Sequence, residues 1–156
     1  MPVKPRFARC ALATACLVVH GCGVVDNGAV ELSWTFRPAS SALPDKFVGC
    51  NANDEPGTNP IDAIELHWDV GGHRGSARWP CVSSTGATQF ELPPGQAVLT
   101  VLPVCVNEIP LDPASFIAPA PYLRQVSTGD TVSLGAVEIV LQVSSCAAQP
   151  CICHDP

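Results

Sequence analysis

The sequence predicts an all-β protein: a single antiparallel β-sandwich of about seven strands, stapled by disulfides. Three observations point there. Apolar residues recur with period two in several short runs, as they do in strands with one buried face. No stretch of eleven or more residues after Cys22 keeps a clean helical period, and 16 prolines oppose long helices. The runs are divided by Gly/Pro turn signals, which is the pattern of a sandwich. A length of 156 residues is that of one domain able to bury a core.

The elements follow in chain order. Val30, Leu32, Trp34 and Phe36 alternate with Glu31, Ser33 and Thr35 in a first strand. Ile64, Leu66, Trp68 and Val70 alternate with Glu65, His67 and Asp69 in a second, which Gly71 and Gly72 end. Residues 71–75 then make a hairpin turn. Ala77, Trp79 and Cys81 share one face of the returning strand. Pro80 lacks an amide proton, which places that strand at an edge or ends it. Phe90 and Leu92 form a short strand before Pro93-Pro94-Gly95. Residues 97–104 are apolar on both faces, as in a central strand. Residues 132–143 make the last strand, with a bulge or bend at Gly135.

The stretch Phe90-Glu91-Leu92-Pro93-Pro94-Gly95-Gln96-Ala97-Val98-Leu99-Thr100-Val101 resembles the F-x-L-P-P-G-x-Y-x-L-x-V hairpin of carboxypeptidase-regulatory-like and prealbumin-like sandwiches. Val126, Gly129 and the apolar run 137–141 resemble their final hairpin. The resemblance implies a prealbumin-like or immunoglobulin-like sandwich and brings no catalytic residue with it. Cys50, Trp68 and Cys105 also follow the cysteine–tryptophan–cysteine order of immunoglobulin domains. Pro103 stands where those have the tyrosine of their corner, so the order speaks for fold class and not for membership.

The N-terminus reads as an address. Lys4, Arg6 and Arg9 precede an uncharged run, Cys10 to Val19, that is too short to span a bilayer. Val19-His20-Gly21-Cys22 resembles the lipobox of bacterial lipoproteins, carried by Val19, Gly21 and Cys22. That resemblance implies removal of residues 1–21, lipid on Cys22 and a short tether at 22–28. The domain then occupies 29–143 and a cysteine-rich tail 144–156. Gly23, rather than Asp, follows the lipid site, which by the same resemblance implies the outer membrane. All fourteen acids lie beyond Cys22 against five bases, so the processed chain carries a charge of −9. An acidic body repels anionic lipid, leaving the anchoring to the acyl chains. It equally excludes nucleic acid as a partner. Charged residues are only 14% of the chain and its mean hydropathy is +0.25, which excludes a disordered polyelectrolyte.

Nine cysteines are an odd number. By the lipobox resemblance, Cys10 and Cys16 are expected to leave with the signal and Cys22 to take lipid. An even six remain: Cys50, Cys81, Cys105, Cys146, Cys151 and Cys153. In an exported chain these are disulfide candidates. Cys50–Cys81 is the favoured pair, because the two flank the same strand pair, and Cys105 is expected to tie to Cys146 or elsewhere in the tail. Cys146, Cys151, Cys153 and His154 have the donor types of a zinc or copper site. Their spacing fits no standard finger, haem or redox motif, so bridges that pin a loose end are the better expectation.

Other candidates weigh lightly. Asn51, Asn53, Asp54, Glu55 and Asp62 offer oxygens for calcium, but not in the register of an EF-hand. Trp34, Trp68 and Trp79 share strand faces with apolar neighbours, which favours packing over sugar stacking. His67 faces outward and His73 lies in a turn. No Gly-x-Ser-x-Gly or His-Glu-x-x-His occurs. The expectation is a non-enzymatic, lipid-anchored envelope module without a cofactor, meeting the membrane through its lipid and an envelope protein or glycan through loops such as 44–60 and 106–121. The alternative is a small metal-binding or thiol-redox protein using the tail.

Overall fold

Alternation puts one face of each long strand against its neighbours and the other in solvent. The computed structural model describes residues 25–39, 49–50, 61–105 and 115–141. Among these lie eight strands: β1 (Ala29–Pro38), β2 (Ile61–Val70), β3 (His73–Pro80), β4 (Thr85–Ala87), β5 (Gly95–Cys105), β6 (Phe116–Ile117), β7 (Tyr122–Val126) and β8 (Thr131–Leu141). They form two four-stranded sheets, ordered β4-β1-β8-β6 and β3-β2-β5-β7. The 3-10 turn Cys81–Ser83 carries the chain from β3 to β4 and thus between sheets.

The expectation of about seven antiparallel strands is corrected twice. The described residues hold eight, and β1 runs parallel to β8 from Ala29↔Thr131 to Pro38↔Leu141. The other pairings between these strands are antiparallel. Strand direction here is set by connections that cross between sheets, which no local pattern encodes.

Inward residues of both sheets meet in one core. Val30, Leu32 and Trp34 of β1 and Val137 and Ile139 of β8 belong to the same buried cluster as Ile64, Leu66 and Trp68 of β2 and Leu99 and Val101 of β5. Each large aliphatic side chain fully buried in this way contributes about 1.5–3 kcal/mol relative to exposure. β5 is an inner strand, as expected, but only its inward set is buried; Val98 on the outer face is 41% exposed.

Turns account for the remaining differences. The β2–β3 turn needs only Gly71 and Gly72, at φ 60° and 92°, and β3 already begins at His73. β3 is an edge strand ending at Pro80, as the missing amide proton requires. Phe90 and Leu92 do not form a strand. Leu92 makes one isolated bridge, to Gly28, and Phe90 is exposed. Pro93 and Pro94 supply no N–H with which to extend a ladder. The expected final hairpin is also absent, because β7 pairs with β5 while β8 pairs with β1 and β6. The turn Ser127–Asp130, closed by Asp130 N–H donating to the Ser127 carbonyl at 3.2 Å, takes the chain across. The bulge falls where Gly135 placed it: Glu31 faces Ser133 and Ser33 faces Ala136, with Gly135 at φ 67° taking up the extra residue.

Candidate functional site

Local sequence places three groups of chemically interesting residues on this frame. The first is a corner where the sheets meet. Cys50 and Cys81 form a disulfide, the pair expected from their positions beside β2 and β3. Cys105, at the end of β5, is also disulfide-bonded, to a cysteine outside the described residues. Next to the first bridge, the Trp34 indole N–H donates to the Cys81 carbonyl at 2.8 Å. Trp34 and Trp79 stack with centroids 6.3 Å apart. The Trp79 ring also lies over Gly86, where a Cβ would come within 2.7 Å of Cε2 and Cε3. Trp68 covers Gly75 across the β2–β3 ladder in the same manner. All three indoles are thus engaged in packing, Trp34 and Trp68 as buried core residues and Trp79 as a half-buried one that also borders the depression described next.

The second group lines an open depression of about 580 Å³ that includes Glu31, Ser33, Trp79, Thr85 and Ser133. Its hydroxyls already serve the fold. Ser33 Oγ donates to the Gly135 carbonyl at 3.3 Å, and Ser133 Oγ accepts from the Gly135 N–H at 3.3 Å, so together they hold the bulge. The third group lies around a smaller depression of about 260 Å³ lined by His67, Asp69, Arg74, Val98 and Thr100. His67 Nε2 lies 3.4 Å from Glu65 Oε2. Asp69 and Arg74 are register partners, and Arg74 Nε donates to Asp69 Oδ2 at 2.8 Å. Asp69 Oδ1 also accepts from the Gly72 N–H at 2.8 Å. The Arg74 hydrogen bond and then the Gly72 amide hold the Asp69 carboxyl below the usual carboxylate range, and Asp69 in turn raises Arg74. This pair escaped the sequence reading, although a two-glycine turn fixes the register that makes 69 and 74 face each other. It braces the hairpin.

Several expected sites fall outside the described residues: the lipid site Cys22, the tail residues Cys146, Cys151, Cys153 and His154, and the loop donors Asn51, Asn53, Asp54 and Glu55. Asp62, the last of that donor set, lies on β2 with its carboxylate 3.9 Å from Arg78. Of the expected contact loops 44–60 and 106–121, the described part includes Cys50 and the short strand β6. Among the described residues no group of three or more His, Cys, Asp or Glu could hold a metal ion. No helix among them is long and apolar enough to cross a membrane. No family model and no curated protein matches the chain.

Proposed function

We propose that this chain is a lipid-anchored protein of the bacterial cell envelope, a non-enzymatic binding or accessory module built on a prealbumin-like β-sandwich. The observation that carries the reading is Val19-His20-Gly21-Cys22 at the point where the apolar run stops, together with the even count of cysteines left after position 22. Two sheets sharing one core support the sandwich. The strand order favours the prealbumin-like over the immunoglobulin-like form. In immunoglobulin domains the first two strands share a sheet, whereas here β1 and β2 lie in different sheets. Pairing Cys50 with Cys81 rather than Cys105 points the same way. Gly23 after the lipid site supports the outer membrane.

The absence of nucleic-acid chemistry follows from the acidic body. The partner fits an envelope protein or glycan, met by the loops that flank the disulfides. The disulfide at Cys105 counts against a three-thiol metal site in the tail: if its partner is Cys146, Cys151 or Cys153, only two tail thiols remain for a ligand set with His154. Changing Cys22 to Ser tests the anchor, with loss of the protein from the membrane fraction expected; retention there overturns it. Thiol titration of the denatured, processed body should find no free thiol, and two or more with stoichiometric zinc or copper would favour the metal reading.

A further inference from the structure

Resting on the lipid anchor at Cys22, we propose that the domain stands on end, with the pole formed by Asp26–Gly28, Leu92–Pro94 and the Ser127–Asp130 turn held against the bilayer surface and the disulfide pole facing away. The argument begins with the residues after the anchor. Asp26–Gly28 would serve as slack tether if nothing held them, but they are strapped to the fold on both sides. Thr128 Oγ1 donates to the Asp26 carbonyl at 3.3 Å, and the Gly129 N–H donates to the Asn27 carbonyl at 2.9 Å. Gly28 exchanges two backbone hydrogen bonds with Leu92, at 2.8 and 3.1 Å, and the Ala29 N–H donates to the Asp130 carbonyl at 2.9 Å. A Cβ at Gly28 would meet Val126 Cγ1 at 2.5 Å and the Ser127 carbonyl at 2.7 Å, so only glycine lets the strap lie this close.

The strap leaves little chain between lipid and fold. Cys22 and Asp26 are four residues apart, and their Cα atoms stand at most ~14 Å apart whatever the conformation between them. The opposite ends of β1 and β8 lie nine residues further along β1, from Ala29 to Pro38, and ten along β8, from Thr131 to Leu141, which carries the bulge, or ~30 Å at strand rise. So short a link cannot let the domain turn its other end to the lipid. Two apolar side chains are exposed beside the strap, Val25 at 42% and Phe90 at 44%, where they would meet the headgroup boundary. Cys50, Cys81 and Cys105 and the strand ends Pro38 and Leu141 are at the other pole. The pole that carries the Cys50–Cys81 disulfide therefore faces away from the membrane.

The test uses the full lipidated protein in phosphatidylethanolamine/phosphatidylglycerol vesicles with nitroxide-labelled headgroups. A fluorophore is clicked onto azidophenylalanine replacing either Phe90, near the strap, or Ile117, which is 50% exposed on β6 at the far pole. Mass spectrometry first establishes acylation of Cys22, since its absence would defeat the anchor reading and leave the orientation argument without a premise. With acylation shown, quenching at position 90 is expected to exceed that at position 117 at least threefold. Inserting ten Gly/Ser residues after Gly23 should bring the two close to equal. Equal or reversed quenching without the insertion would overturn the orientation; strong quenching at position 90 that survives the insertion would overturn the leash as its cause.

Discussion

Replacing Gly86 with Ala probes the corner that joins the two sheets. Gly86 is the inward residue of β4, paired with buried Leu32, and the Trp79 ring rests on its Cα. An added Cβ would lie 2.7 Å from Cε2 and Cε3 of that ring, well inside the 3.4–4 Å of ordinary contact. The ring would have to withdraw by roughly 1 Å or more, and such overpacking typically costs about 1–3 kcal/mol. Retreat is limited. Trp34 stacks on Trp79 at 6.3 Å and is itself held by its hydrogen bond to Cys81, while Trp79 Nε1–H donates to the Ala87 carbonyl at 3.3 Å. With a urea slope of about 1–3 kcal/mol/M for a small domain, the unfolding midpoint should fall by on the order of 1 M. Tryptophan fluorescence follows the transition. A double-mutant cycle isolates the cause. In a Trp79→Ala background the clash is gone, and Gly86→Ala should then be neutral or stabilising by up to about 1 kcal/mol, because Gly is the poorer strand residue. Equal destabilisation in both backgrounds would refute the reasoning.

Three further outcomes are expected. Cys50→Ser with Cys81→Ser opens a loop of 31 residues' separation; chain entropy alone then lowers stability by about 3–4 kcal/mol, and unchanged urea midpoints for this variant would rule that out. Arg74→Gln should return the Asp69 carboxyl towards its ordinary value of 3.8, as seen by NMR titration. Because the folded-state value is depressed, what the pair contributes is present above about pH 3.8 and lost as pH falls through the lower folded value; an Asp69 titration unmoved by the change would show that the Gly72 amide suffices. Arg124 stands opposite buried Ala97 on edge strand β7, its guanidinium 5.6 Å over the Tyr122 ring. A core-side charge there blunts the edge against pairing with a second chain, so Arg124→Val should self-associate more than wild type in sedimentation, and equal association would count against that role.

Much of the fold was legible because it rests on short-range alternation. The strands through Trp34 and Trp68, the central position of residues 97–104, the edge strand ending at Pro80, the bulge at Gly135 and the Cys50–Cys81 bridge all follow from residue spacing and backbone chemistry. β4 was not legible. Its only inward residue is Gly86, so Thr85-Gly86-Ala87 shows no apolar alternation, and its hydrophobic partner is Trp79 on another strand. Phe90-Glu91-Leu92 misled in the opposite direction, having the alternation of a strand but two prolines where a ladder would continue.

By itself the sequence determined the all-β class and the inward and outward faces of the long strands, and it carries the lipobox-like run Val19–Cys22 on which the functional proposal rests. Each is a property of neighbouring residues or of totals. Only the tertiary structure decided that β1 and β8 run parallel, that β7 and β8 part into different sheets, that Trp79 and Trp68 lie over Gly86 and Gly75 and that Asp26–Gly28 are strapped down. Those depend on contacts between residues far apart in the chain, such as Thr128 with Asp26 and Trp34 with Cys81. Such contacts form only once burial of the shared core has brought the two sheets together.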